Sequence, residues 1–194
     1  MIFKLSLRER ALHVNELAIK LAEGFLCHHA AMTILKDPKS KELYQGKTLE
    51  QMESIGKFGN TEYRFDSYYD MAVNDPFILE EFEKMWCVGA IQKLDHELKK
   101  NKYFDHAPIL EMIHHFRNGV AHGNKFVFEN KIKHPANNFE YVGITDMKNY
   151  ELTEKLKGKK ILFDFITAND LLQIFQGVAN HLNNNLNFDK DVKP

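Results

Sequence analysis

The chain is poor in cysteine, with only Cys27 and Cys87 among 194 residues, and both fall in apolar helical patterns, not in a spaced framework. A disulfide-stapled scaffold is excluded, a reducing compartment such as the cytoplasm is expected, and both thiols are expected to be buried. No apolar run approaches about 18 uncharged residues, the length a membrane-spanning helix needs. The start, MIFKLSLRERALHVNE, meets charge before any long apolar stretch, so neither export nor membrane insertion is expected. Excess charge of either sign is missing as well, the formal net charge being −1. Nonspecific coating of nucleic acid needs many Lys and Arg contacts to phosphate, which leaves room only for a small, local phosphate site. Histidine is abundant, with pairs at His28-His29 and His114-His115, yet HExxH, Cys-x2-Cys and similar ligand spacings are absent. No metal or other cofactor is expected, and no internal repeat is visible. A metal-dependent hydrolase built on the His cluster is disfavoured because no acidic co-ligand stands beside His114, His115 or His122 in the sequence.

What the chain does have is enough apolar residues, 44%, to build one sizeable core without staples. A single domain over 1–194 is expected, mainly α, with four to five helices and a small antiparallel β insertion before the last one. Ser6-Leu7-Arg8-Glu9 has the form of a capping box. Beyond it Val14, Leu17, Leu21, Phe25, Met32 and Leu35 recur as one face of a long helix. His28 falls on that face, where a lone histidine is more often a hydrogen-bonded packing residue than a ligand. Asp37-Pro38 ends the helix, and 38–73 reads as a polar connector with a short helix near Thr48 to Ile55. Tyr63, Phe65, Tyr68 and Tyr69, interleaved with Lys57 and Arg64, suit either base stacking or packing of the connector, with packing the commoner use of such aromatics.

Asn74-Asp75-Pro76 starts a second long helix, with Asp75 as N-cap and Leu79, Phe82, Trp86, Ala90, Leu94 and Leu98 as its stripe. Another helix begins near Ala107-Pro108 and stops around Gly123. From 125 to 166 the texture turns β-prone: Phe126 and Phe128 alternate with their neighbours, as do Ile161, Phe163 and Phe165, which predicts two or three strands. Thr167-Ala168-Asn169-Asp170 opens the last helix, burying Leu171, Phe175, Val178, Leu182 and Leu186.

The helix ending near Gly123 carries the chemistry. Ile109, Ile113, Phe116 and Val120 share one arc, while His115, Asn118 and His122 stack on the opposite side with His114 beside them. A solvated polar face is the plain alternative, although such faces usually favour Lys and Glu. Arginine is scarce, only Arg8, Arg10, Arg64 and Arg117 occurring, so the planar fork that suits phosphate stands at Arg117 in a Lys-rich chain. Gly119 in mid-helix costs about 1 kcal/mol relative to Ala, and with Ala121 it leaves a notch that a second helix, a second protomer or a ligand would fit. The bare Arg-x4-His spacing is expected by chance roughly 0.2 times in such a composition, so context must carry it.

The run Arg117-Asn118-Gly119-Val120-Ala121-His122-Gly123 resembles the signature of the HEPN superfamily. That signature is an arginine, commonly followed by a polar residue, with a histidine a few positions on, borne by a late helix of a helical bundle. The helical layout extends the similarity over roughly 6–186, with specificity residing in the heptapeptide. The resemblance implies a metal-independent endoribonuclease acting as a homodimer across a composite cleft, or a noncatalytic relative that binds RNA, a nucleotide or protein. In the first case His122 would be general base or acid, Arg117 would hold the scissile phosphate, and Asn118 would orient the imidazole or touch the phosphate. His114 and His115 would assist substrate binding, or else lie at a dimer interface or in solvent. Cleavage would leave a 2′,3′-cyclic phosphate. Single-stranded RNA, a second copy and an antitoxin or regulatory protein are the implied partners, in a defence, toxin or stress system.

Overall fold

A computed structural model describes residues 5–49, 51–52, 63–128, 132–143 and 146–184. Six α-helices run through the described residues: α1 (Leu7–Leu35), α2 (Pro38–Tyr44), α3 (Phe65–Asn74), α4 (Pro76–Lys100), α5 (Pro108–Ala121) and α6 (Ala168–Asn184). The protein is therefore mainly α, as its periodicities indicate. Contacts divide the chain into two compact units, one of 1–23 with 85–194 and the other of 24–84. Among the described residues no helix is long and apolar enough to cross a membrane.

The helix starts read from sequence are built from the expected side chains. Ser6 and Glu9 close a capping box, the Glu9 carboxylate accepting from the Ser6 amide at 2.7 Å and the Ser6 hydroxyl accepting from the Glu9 amide at 3.2 Å. Asp75 accepts from the Phe77 amide at 3.0 Å ahead of Pro76. Thr167 and Asp170 repeat the reciprocal arrangement before α6, at 2.9 and 3.2 Å. Each bond satisfies an amide that the first turn leaves without an intrahelical partner.

The larger unit holds the motif helix. Ile109, Ile113 and Phe116 of α5 are fully buried, together with Leu94 and Leu98 of α4 and Leu171, Phe175, Val178 and Leu182 of α6. Val120, expected on the same stripe, is half-buried, and Leu186 lies outside the described residues. α5 meets α6 closely because Gly177 has no side chain: a Cβ there would strike the Ile109 Cδ1 and come within 3.3 Å of the Tyr141 ring.

In the smaller unit the connector is more helical than its polarity suggests. Asp37 does end α1, but its carboxylate also caps α2, accepting from the Lys39 amide at 2.9 Å with Pro38 at the first helical position. Phe65, Tyr68 and Tyr69 lie on α3, with Phe65 and Tyr69 buried and Tyr68 exposed. Thr48 and Gln51 bond each other at 3.0 and 3.3 Å, but residues 48, 49, 51 and 52 form a bridge and a turn instead of the expected short helix, and its remainder to Ile55, with Lys57, lies outside the described residues. Cys87 is buried as expected, whereas Cys27 is exposed: two residues after buried Phe25, it lies on the opposite side of α1.

The expected strands between 125 and 166 do not form among the described residues, which hold isolated bridges at Lys125↔Lys160, Asn137↔Glu151 and Leu162↔Ile166 and two single 3-10 turns. Two asparagines explain why alternation failed to become a ladder. The Asn124 side chain takes both main-chain groups of Leu162, donating to its carbonyl at 3.1 Å and accepting from its amide at 2.9 Å. Buried Asn138 does the same across a gap, donating to the Lys148 carbonyl at 2.7 Å and accepting from the Tyr150 amide at 2.8 Å. A side-chain amide thus stands where a neighbouring strand would pair. Phe163 then breaks the extended run outright, with φ of 72°.

Gly119 is the point where this irregular segment docks on α5. A Cβ there would collide with Ile161 Cδ1 and approach the Lys125 carbonyl oxygen to 2.7 Å. Of the expected occupants of the notch, a second helix, a second protomer or a ligand, none takes it: the chain's own Ile161 side chain and Lys125 main chain fill it. Replacing Gly119 by alanine is expected to destabilise by about 1–3 kcal/mol through overpacking, reversing the gain of up to about 1 kcal/mol that Gly→Ala brings in an open helix. Gly89→Ala in α4, where a Cβ meets nothing within 4 Å, supplies that gain as the control. Urea midpoints measure both, and equal shifts for the two variants would refute the packing argument.

Candidate functional site

Five side chains from α4, the loop behind it and α5 close into one polar ring. Asp95 anchors it, only 3% exposed although it carries a charge. Its Oδ1 accepts from the Tyr103 hydroxyl at 2.9 Å, and its Oδ2 faces the Arg117 Nε at 3.6 Å. Tyr103 also meets His114 Nδ1 at 2.8 Å, Asn118 Nδ2 lies 3.1 Å from His114 Nε2, and Arg117 Nη1 donates to Asn118 Oδ1 at 3.3 Å.

The proton positions follow from what each group is able to do. An amide nitrogen only donates, so Asn118 gives its hydrogen to His114 Nε2. A neutral imidazole that accepts on Nε2 carries its proton on Nδ1 and donates to the Tyr103 oxygen, which donates onward to Asp95. His114 Nδ1 also lies 3.6 Å from Asp95 Oδ1, close enough for an ion pair if the ring were charged. We favour the neutral ring, because a proton on Nε2 would face the Asn118 amide hydrogens. Donors therefore run one way from Arg117 through Asn118, His114 and Tyr103 to Asp95, and each bond polarises the next. Burial, followed by the charge and hydrogen bond of Asp95, pushes the Tyr103 phenol well up from its ordinary value, so it stays a donor.

The loop that presents Tyr103 is held in an unusual conformation. Lys102, Tyr103, Phe104 and His106 have φ between 50° and 57°, a region non-glycine residues seldom adopt, at a cost on the order of 1 kcal/mol each. Polar contacts hold the loop on both sides of the strain. The Tyr103 amide donates to the Leu98 carbonyl at 2.9 Å. His181 of α6, itself buried, reaches the Asp105 carboxylate at 2.9 Å, and His106 meets Glu111 at 2.6 Å. Burial works to raise the Asp105 carboxyl, but the hydrogen bonds from His181 and the Ala107 amide outweigh it and leave the group below its usual range.

The other expected site residues lie apart from the ring. Asn118 bonds to His114, one turn before it, and not to His122. His115 is half-buried, its ring edge-on to Phe128 with centroids 5.4 Å apart. Burial, then the neighbouring His114, depresses its pKa against a smaller opposing pull from Glu111. His122 is the C-cap of α5, exposed, with its backbone amide bonded to the Gly119 carbonyl at 3.1 Å and no hydrogen bond to its ring among the described residues. Arg117 does not cap helix carbonyls: its guanidinium turns to Asp95, and the side chain keeps 43% exposure.

Asp95 and Tyr103 escaped the sequence reading. Asp95 follows Leu94 in the α4 stripe as an ordinary member of a Lys- and Glu-rich helix end, and only its burial distinguishes it. It also supplies from another helix the acid missing beside the histidines in sequence. No three His, Cys, Asp or Glu side chains converge as a metal-ligand set among the described residues. No family model, curated protein or solved structure matches the chain.

Two measurements test the site. Asp95→Asn is expected to cost about 2 kcal/mol by unseating the Tyr103 and Arg117 donors, and Tyr103→Phe about 1 kcal/mol, with the double variant costing less than the sum. Strict additivity in urea unfolding would mean that the two do not act as one ring. The second concerns pH. Since folding depresses the His115 pKa from the ordinary value of 6.5, the unfolded chain binds the proton more readily; stability from this residue is full above that pH and declines as pH falls through it. The wild-type curve minus that of His115→Gln should show this decline, and parallel curves from neutral to mildly acid pH would contradict it.

Proposed function

We propose that the protein is a metal-independent endoribonuclease of HEPN type that works as a homodimer in a defence, toxin or stress system. One observation supports this reading above the rest. Arg117 Nε pairs with buried Asp95 at 3.6 Å while its side chain stays 43% exposed, which leaves a permanently charged fork accessible to a phosphate. His122 ends the same helix with its imidazole exposed. Arg117 would bind the scissile phosphodiester and offset the negative charge that grows on its oxygens. His122 would take the proton from the ribose 2′-hydroxyl, whose oxygen attacks phosphorus as the bond to the 5′-oxygen breaks; a second imidazole, from the other copy, would protonate that leaving oxygen. The products are a 2′,3′-cyclic phosphate and a free 5′-hydroxyl.

A second reading, a noncatalytic HEPN-like module that binds RNA, a nucleotide or a protein, draws on the ring itself. Arg117 already has a carboxylate partner, and neither Asn118 nor His114 bonds to His122. Labelled single-stranded RNA incubated in EDTA with wild type, Arg117→Ala and His122→Ala separates the two. The nuclease reading expects cleavage by wild type and a loss of at least about a hundredfold in each variant, the scale of losing a general base or an oxyanion donor. Equal rates in all three folded proteins, or no cleavage by any, would leave only the binding module.

A further inference from the structure

Immediately after the motif helix the chain gathers a concentration of positive charge that its net charge of −1 conceals. Lys125, three residues beyond His122, is bridged to Lys160, and Lys155, Lys157 and Lys159 belong to the same turn. All five side chains are exposed, and among the described residues none forms an ion pair with a carboxylate. Of the six lysines on α2 and α4, Lys41, Lys84, Lys93 and Lys100 are paired with carboxylates, while Lys39 and Lys99 are not.

Three of these lysines, Lys125, Lys159 and Lys160, border a cleft of about 640 Å³ floored by Leu156 and Phe165, with Asp164 at its edge. Phe165 is set rigidly, its ring against Phe126 and Tyr150 at centroid distances of 5.1 and 5.2 Å, yet it remains half-exposed toward the cleft it lines. The cleft is also tied to the motif helix. Ile161 packs against Gly119, its amide donates to the Asn124 carbonyl at 3.1 Å, and Asn124 holds Leu162 at both main-chain groups. Three residues span at most about 11 Å, so Lys125 stays within a short strand's reach of His122.

We propose that this cleft binds a nucleoside phosphate, with the lysines on the phosphate, the base against Phe165 and Leu156, and Asp164 accepting from a ribose hydroxyl or an exocyclic amine. Each element of the cleft has a use in that ligand. Inorganic phosphate leaves the aromatic floor empty, and an acidic peptide offers carboxylates without a flat ring to stack. The ligand is either a free nucleotide or one unit of a strand; in the strand form the inference rests on the ribonuclease reading and adds to it a subsite beside the scissile bond.

The test uses the full chain, fluorescein-labelled oligouridylate and unlabelled UMP. Lys125→Gln/Lys159→Gln/Lys160→Gln is compared with the equal charge change placed elsewhere, Lys20→Gln/Lys39→Gln/Lys99→Gln, all six being exposed. The cleft triple variant is expected to bind the oligomer at least tenfold more weakly, with the slope of log K against log salt reduced by about 2, three phosphate contacts at roughly 0.7 each on a single strand. The control triple should match wild type. Competition by UMP identifies a free-nucleotide site, and its failure to compete identifies a strand subsite; both carry the proposal. Equal weakening in the two triples, or no binding of either probe by wild type, overturns it. Phe165→Leu should weaken binding several-fold at an unchanged salt slope, and unchanged affinity would remove the stacking floor. Arg117→Ala and His122→Ala should keep the cleft's contribution, so cleavage without a cleft effect sinks this inference alone, and a cleft effect without cleavage sinks the nuclease alone.

Discussion

A carboxylate sealed from water has to be answered by donors, and Asp95 organises the motif-bearing part of the molecule on that account. An isolated buried charge costs far more than a small domain's margin of stability. Its two oxygens therefore demand the Tyr103 hydroxyl and the Arg117 guanidinium. Meeting that demand requires the loop after α4 to turn through four left-handed residues, which brings Tyr103 inward and leaves Asp105 and His106 to be held by His181 and Glu111. The strain of the loop and the order of the ring are two sides of one constraint. Because all the donors point one way, no member can be flipped without leaving a neighbour unsatisfied.

The arrangement gives Arg117 a divided character. Its Nε lies 3.6 Å from a buried anion and its Nη1 donates to Asn118, contacts that narrow the directions open to the guanidinium. The side chain as a whole keeps 43% exposure. His122 differs from it, lying exposed at the helix end with no hydrogen bond to its ring among the described residues.

Helices were readable because their signals are local. Ser6 with Glu9, Asp75 before Pro76, and Thr167 with Asp170 act within one turn, and the buried positions of α5 and α6 repeat at the helical period. The segment 125–166 was misread for the same reason. Alternation of Phe126 with Phe128 and of Ile161 with Phe165 does reflect burial, but a strand also needs a partner for its main chain. Asn124 and Asn138 supply that partner as side chains and make the ladder unnecessary. Gly119 marks in sequence a place of close approach, but a missing side chain does not say whether a helix, a protomer, a ligand or the chain's own Ile161 and Lys125 fill the space.

The sequence by itself determined the mainly helical class, the approximate ends of the long helices and the placing of Arg117 and Asn118 on one helix with His122 at its end, because capping and amphipathic period are properties of neighbours along the chain. Tertiary structure alone decided that Asp95 and Tyr103 join them, that Asn118 serves His114, that Ile161 occupies the Gly119 notch and that scattered lysines crowd around one cleft. Apart from the Asn118–His114 bond, which spans one helical turn, these are contacts between residues distant in sequence, and they are selected by the need to pair buried polar groups and exclude voids, requirements that no short window of residues can express.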